Sequence, residues 1–148
     1  NFARPLAEAV MKNFLLHHEG LDFGSGTGPV ISHILHENGF NITQYDPFFC
    51  NRPEVLNKSY DYIVCCEVIE HFHYPAKEFT LLKSMLKETG TLFCMTLLYT
   101  PDTDFEKWFY KNDITHTFFY QAETMHWIKE NYAFSDLIIN GRLITLHA

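Results

Sequence analysis

The stretch that most constrains this chain is Leu21-Asp22-Phe23-Gly24-Ser25-Gly26-Thr27-Gly28-Pro29, three glycines at alternate positions between an apolar step and a proline. An apolar run ending at such a bend reads as a short buried strand, Gly20 to Phe23, and Pro29 opens a helix behind it. Without side chains, the bend lets backbone approach a ligand closely. In an open parallel sheet, ligands sit at this place, beyond the carboxyl ends of the strands. A dinucleotide site wants G-x-G-x-x-G, with pyrophosphate at the helix N-terminus. Here the spacing is G-x-G-x-G, Pro29 stands where the third glycine would fall, and Asp22 precedes the first glycine by two residues. A carboxylate repels a pyrophosphate and attracts an ammonium or a sulfonium. The bend therefore expects a cationic ligand.

The rest of the chain alternates the two periods. Leu6, Val10 and Phe14 recur every four residues across a helix expected from Arg4 to Leu16. Val30, Ile31, Ile34 and Leu35 form the buried stripe of the helix after Pro29, which Gly39 closes, and Asn41 to Tyr45 reads as the next strand. Tyr60 to Cys66 is a near-continuous apolar run, the pattern of a strand buried on both faces. A helix is expected from Pro75 to Gly90, carrying Phe79, Leu82 and Leu86, then a strand over Thr91 to Leu98. A helix near Ala122–Asn131 precedes strands at Phe134–Ile139 and Leu143–His147, joined by the hairpin signal Asn140-Gly141. Strands alternating with helices predict an α/β fold: a Rossmann-like, doubly wound, mostly parallel sheet with a C-terminal antiparallel hairpin. The 148 residues suit a single domain over 1–148.

Composition narrows the partners. The formal charge of -7, with no cluster of Lys and Arg, disfavours nucleic acid. No apolar run approaches the roughly 20 residues needed to cross a bilayer, and no signal peptide is recognisable. Cys50, Cys65, Cys66 and Cys94 form no CxxC pair and read as reduced thiols of a cytoplasmic protein.

Read together, four segments resemble the motifs of class I S-adenosylmethionine-dependent methyltransferases. Asp22-Phe23-Gly24-Ser25-Gly26-Thr27-Gly28 resembles the first motif, and Asp46 is similar to the acidic residue that holds the ribose hydroxyls. Tyr60 to His71 resembles the fourth-strand motif in its E-V-x-E-H variant, which ubiquinone-pathway O-methyltransferases also carry. Leu86 to Leu92 resembles the turn into the fifth strand, with Thr89 where a glycine is common. The resemblance implies S-adenosylmethionine as cofactor. Gly24, Ser25, Gly26 and Gly28 would line its methionine portion, with Asp22 near the ammonium and Asp46 on the ribose. Cys66 and Glu67 would border the adenosine and the reacting centre. Only fourteen residues separate Asp46 from Asp61, too few for a helix, a third strand and another helix. The third strand is therefore expected to be shortened or missing. In the family's labels the sheet would run 2-1-4-5-7-6 with strand 7 antiparallel, and residues 48–56 or the backbone near Cys66 would take over the adenine contact.

Glu67, Glu70 and His71 stand at i, i+3 and i+4, sharing one face if a helical turn follows the strand. His116 can join them from the loop after the fifth strand. Such a set suits a divalent metal, and the E-V-I-E-H stretch with a later histidine resembles the Mg²⁺ site of small-RNA 2′-O-methyltransferases. The favoured reading is plainer: Glu70 and His71 orient the turn without metal. His71, His116 or Glu67 would serve as catalytic base for a hydroxyl nucleophile. The aromatic stretch from Tyr99 to Tyr120 reads half as a satellite core and half as a lid over the methyl donor. A small hydroxylated or aromatic acceptor is expected. The rivals are a nucleotide-dependent oxidoreductase and a cofactor-binding module without turnover.

Overall fold

The computed structural model describes residues 2–148. Ten principal elements follow in order: α1 Arg4–Asn13, β1 Glu19–Phe23, α2 Val30–Glu37, β2 Asn41–Tyr45, β3 Tyr60–Cys66, α3 Pro75–Ser84, β4 Leu86–Met95, α4 Ala122–Asn131, β5 Asp136–Asn140 and β6 Leu143–His147. The strands form one six-stranded sheet in the order β2-β1-β3-β4-β6-β5. β1 runs parallel to β2 and β3, β3 parallel to β4, and β6 antiparallel to both its neighbours. This is the expected topology, with the hairpin closing one edge and, among the described residues, no further strand beyond β2.

The alternation of β3 explains the layering. Tyr62 and Val64 point into a core with Leu6, Val10, Ile31 and Leu35 of α1 and α2. Ile63 and Cys65 point the other way, towards Phe79 and Leu82 of α3 and Met125 and Ile128 of α4. A strand covered by helices on both faces has no solvent side, hence its unbroken apolar run. None of the helices among the described residues is long and apolar enough to cross a membrane.

One side chain ties three strands. Gly20 of β1 pairs with Tyr62 of β3, and the phenol ring lies where a Gly20 side chain would stand, 2.0 Å from an ideal Cβ. The ring passes over β1, and the Tyr62 hydroxyl donates to the Asn41 carbonyl of β2 at 2.6 Å.

Several boundaries differ from expectation. α3 stops at Ser84, and β4 begins at Leu86 instead of after Gly90. Leu86 continues the helical period of Leu82, but the Tyr60 amide donates to the Met85 carbonyl and Leu86 pairs with Tyr60. Gly90 lies within the strand at a register shift, where an added Cβ would meet the Lys87 carbonyl at 2.9 Å. α1 ends at Asn13, and the Leu15 amide donates forward to His18 Nδ1 instead of back into the helix. The missing strand leaves β2 at the edge, partly covered from its own downstream chain. Arg52 Nη2 donates to the Gln44 carbonyl at 2.9 Å, and Asp46 pairs with Cys50.

Replacing Gly20 with Ala should force the Tyr62 ring out of place. We expect a loss of about 1–3 kcal/mol in urea unfolding, the range for overpacking a tight core. A Gly20→Ala protein as stable as the wild type would show that Tyr62 is not held there.

Candidate active site

The glycine bend folds against the end of β2. The Gly24 and Ser25 amides both donate to the Tyr45 carbonyl, at 2.8 and 3.1 Å. Gly24 adopts φ 82°, and a Cβ there would lie 2.6 Å from Val68 Cγ2, so the position excludes larger residues twice over. By contrast, nothing lies within 4 Å of where Gly26 or Gly28 would carry a side chain. Their outer faces are open, as a cradle for a ligand requires. Of the residues expected to bind cofactor, Asp22, Gly24, Ser25, Gly28, Cys66 and Glu67 line one cavity of about 220 Å³. Phe2 and Ala3, together with Pro29, Val30 and Ile31 at the opening of α2, close its other side. Ligand pockets commonly span about 300–1,000 Å³, so this cavity suits part of a nucleoside-sized molecule, with the remainder in the open groove.

Asp22 is 3% exposed and accepts a 2.7 Å hydrogen bond from Ser32 Oγ of α2. Burial pushes its carboxyl up to about 6, against the Ser32 hydrogen bonds. Asp46, bonded to the bend, is occupied from both sides. Its Oδ2 accepts from the Gly26 amide at 2.9 Å, and its Oδ1 from the Phe48 and Phe49 amides at 2.9 and 3.1 Å. Those bonds hold the carboxylate rigid, while the Phe48 and Phe49 side chains project outward beside it, 85% and 63% exposed. Burial raises the Cys66 thiol to about 12, which makes it an inert lining group and not a nucleophile.

The end of β3 builds the second half of the site. Glu67 sits at φ 54°, uncommon for a residue with a side chain, and its amide donates to the Met95 carbonyl at 2.8 Å. Its Oε1 accepts from Arg142 Nη2 at 2.7 Å, and its Oε2 lies 3.0 Å from the Tyr110 hydroxyl. The same hydroxyl meets Glu70 Oε1 and, at 3.1 Å, Thr96 Oγ1. One phenolic proton thus faces two carboxyl groups. Burial first, and then the Glu70 charge, push the Glu67 carboxyl above its ordinary range, against the pull of Arg142.

His71 and His116 come together, their ring centroids 4.8 Å apart. His71 Nδ1 lies 3.1 Å from the Thr115 carbonyl and His116 Nδ1 2.7 Å from the Tyr110 carbonyl. One ligand atom from each of Glu70, His71 and His116 lies within 4.8 Å of the others. Glu67, expected with them, is turned instead to Arg142 and Tyr110 and stands outside this group.

The aromatic segment after β4 is anchored at its base and ragged at its tip. The Tyr99 amide donates to Tyr120, the Thr117 amide to the Glu70 carbonyl, and the Tyr120 hydroxyl to the Ile69 carbonyl. Trp108 packs against Tyr99, Phe105, Tyr110 and Phe119, a satellite core. Phe109 and Ile114 remain exposed.

Sequence reasoning did not single out Phe2, Thr96 or Arg142, and took Tyr110 only as one lid aromatic. Arg142 carries no local signal beyond a hairpin turn. It reaches Glu67 because β6 pairs with β4, and its guanidinium lies over the Phe2 ring at 4.4 Å. Three buried side-chain atoms lack a hydrogen-bond partner among the described residues: Ser25 Oγ, Glu70 Oε2 and Arg142 Nε. Buried polar atoms are almost always satisfied, and all three belong to residues of this one region. A ligand with polar groups would complete them, and the donor set at the bend fits S-adenosylmethionine: a buried acid for its ammonium and a hydroxyl and open glycines for its methionine portion.

A protein-family model described as a methyltransferase domain matches residues 2–137. No curated protein sequence matches the chain. Among solved structures the chain is similar to a S-adenosylmethionine-dependent methyltransferase from Archaeoglobus fulgidus, with a TM-score of 0.72 and 16% identity over 98% of this chain and 94% of that one. A second, from Thermotoga maritima, has a TM-score of 0.60 and 14% identity over 99% and 88% of the two chains. A third is the Burkholderia thailandensis 1,6-didemethyltoxoflavin-N1-methyltransferase, whose structure holds 1,6-didemethyltoxoflavin and S-adenosylhomocysteine. Its TM-score is 0.71 and its identity 12%, over 97% and 76% of the two chains. At these identities the likeness is one of fold, and it agrees with the strand order and the glycine bend. The chain belongs to the methyltransferase-domain family, and its fold is the class I fold of the neighbours named above.

Proposed function

We propose that this chain transfers the methyl group of S-adenosylmethionine to a small-molecule acceptor. The observation that carries the reading is the cavity at the glycine bend, where a buried acid and an unpartnered serine hydroxyl line one wall. Asp22, braced from behind by Ser32, faces the ammonium. Gly24, Ser25, Gly26 and Gly28 hold the methionine portion, and Asp46 offers its one remaining lone pair, on Oδ2, to a ribose hydroxyl. The exposed Phe48 and Phe49 rings stand where an adenine face needs cover in the absence of a third strand.

When bound, S-adenosylmethionine supplies an activated methyl carbon whose bond to sulfur breaks as the acceptor's lone pair attacks from the opposite side. The protein's task is alignment and exclusion of water. Arg142, Phe2 and Tyr110 form the wall on the acceptor side. Glu67, His71 and His116 are the groups able to take the acceptor proton, since a histidine Nδ1 donating to a carbonyl leaves Nε2 as a base. An uncharged or weakly anionic small molecule suits the aromatic rim, and the -7 charge weighs against a polyanion. The Burkholderia neighbour holds a small molecule, 1,6-didemethyltoxoflavin, and four free thiols support a cytoplasmic setting. An oxidoreductase is not favoured, because Asp22 beside a pyrophosphate would be repulsive.

Two substitutions separate binding from stability. The Asp22 carboxyl is raised from 3.8 to about 6 in the folded chain, so the native state holds a proton that the unfolded state has lost. Stability of the ligand-free protein should therefore fall as pH rises from about 4 to about 6 and stay lower above. Asp22→Asn keeps an acceptor for Ser32 and cannot ionise. We expect it to flatten that decline, to melt higher at pH 7–8, and to bind S-adenosylhomocysteine at least about tenfold more weakly. A variant with unchanged affinity in calorimetry would remove Asp22 from the site.

Ser25→Ala deletes an unpartnered buried hydroxyl. The ligand-free protein should lose no stability, or gain up to about 1 kcal/mol, while S-adenosylhomocysteine affinity drops several-fold. The function itself is tested by calorimetry with S-adenosylhomocysteine and with NAD: saturation by NAD alone would overturn it.

A further inference from the structure

The two edges of the sheet are treated differently. Alternate residues of an edge strand turn their backbone groups outward, where no neighbouring strand pairs them. At the β2 edge two such carbonyls are taken: Ile42 by His36 Nε2 and Gln44 by Arg52 Nη2, each at 2.9 Å. At the β5 edge the outward residues follow from the ladder. The Thr96 amide donates to the Arg142 carbonyl and the Ala148 amide to the Gly90 carbonyl, so the even-numbered residues along β6 bond to β4. Leu143, Thr145 and His147 therefore bond to β5, where they face Asn140, Ile138 and Asp136. That leaves the backbone of Leu137 and Ile139 turned outward, and among the described residues no hydrogen bond reaches it.

The side chains divide by face. Leu137 and Ile139 pack, half-buried, on the core that α4 shares. Asp136, Ile138 and Asn140 lie on the other face and are exposed, Ile138 by 51%. An apolar residue bare at the middle of an edge strand, with no lysine or proline in that strand, is a template for pairing. The strand Asp136-Leu137-Ile138-Ile139-Asn140 also complements its own reverse. In an antiparallel pair centred on Ile138, Leu137 would stand opposite the second copy's Ile139, each such pair exchanging both backbone hydrogen bonds. Ile138 would meet its own copy across the axis in the closer kind of pair, with Cα atoms about 4.5 Å apart. Asp136 would face the second copy's Asn140, whose amide group donates to a carboxylate. Every residue of the strand then has a matching neighbour, and no like charges are opposed.

We propose that the β5 edge is an interface for a second copy of this chain, joined antiparallel about Ile138 so that two six-stranded sheets run into one. The occupant is a second copy because the match lies within this one strand: apolar against apolar on the α4 face, acid against amide on the other. One short strand presents little surface, which sets the dissociation constant between about 1 µM and 1 mM. The pairing stands apart from methyl transfer, although the same hairpin carries Arg142 to Glu67.

The test is sedimentation of the whole chain across that range of concentration, with amide hydrogen exchange at Leu137 and Ile139 read by NMR. The wild type should pass from monomer to dimer, and those two amides should gain protection with the dimer fraction. Ile138→Lys and Ile138→Glu each place like charges on the two-fold axis, and each should raise the dissociation constant at least about tenfold. Mixed in equal amounts, the two variants should regain the association that each has lost, since opposite charges then face each other. Ile138 is exposed, so neither substitution should disturb the fold, which circular dichroism checks. Should either fail to fold, exchange at Leu137 and Ile139 in the wild type decides. A wild type that stays monomeric throughout would overturn the interface, as would amides already protected in the monomer. A dimer that both variants form as tightly as the wild type, or one that the mixture does not restore, would place the contact elsewhere and overturn it too.

Discussion

The contact on which the cofactor half of this molecule depends is the Tyr62 ring lying across Gly20. It lets a side chain of β3 pass over β1 and bond the backbone of β2, so one residue and one absent Cβ link three parallel strands beyond their backbone ladders. The carboxyl ends of those strands deliver Asp22 and Gly24, Asp46, and Cys66 with Glu67. Because side chains on a strand alternate at a fixed period, holding register at the buried end also sets what emerges at the open end. The pin matters more here than in a sheet with a further strand outside β2, since in place of a strand that edge carries the Arg52 and Cys50 side chains on the Gln44 carbonyl and the Asp46–Cys50 pair.

Features that cost stability gather at the other end of the same strands. Asp22 is buried as an acid, Glu67 holds a left-handed backbone, and Ser25, Glu70 and Arg142 each bury a polar atom without a partner. None has a packing rationale, and strain of this kind collects where a ligand is received. The site also joins distant parts of the chain. The N-terminal Phe2, the β3 end, the aromatic segment and the terminal hairpin meet around Glu67, through Arg142 on one side and Tyr110 on the other.

Tyr110 does the most to organise the acceptor side. Its hydroxyl bridges Glu67, Glu70 and Thr96, its ring lies beside His116, and its carbonyl sets that imidazole's proton. The aromatic segment is therefore more than a cover. It is fixed to the sheet through polar contacts at its base, and its apolar members pack on one another, while Phe105, Phe109, Ile114 and Phe118 stay exposed.

From the sequence alone, the layered α/β fold and the glycine bend could be read from local matters: a period of two or near four, and a proline or glycine at a boundary. The strand order came from the resemblance to class I methyltransferases, corrected by a crossover too short for another strand. The histidine pair and Glu70 were legible as candidates because their spacing on one turn and one loop was suggestive. Where that reading erred, a non-local partner overruled a local pattern. Leu86 kept the period of a helix, yet the Tyr60 strand claimed it. Glu67 shared a turn with Glu70, yet Arg142, seventy-five residues away, drew it aside. Which acids share a proton, which imidazole nitrogen is free and which polar atoms lack partners depend on distances across strands. Only the folded sheet sets those, because hydrogen bonding and burial act between neighbours in space, whatever their separation along the chain.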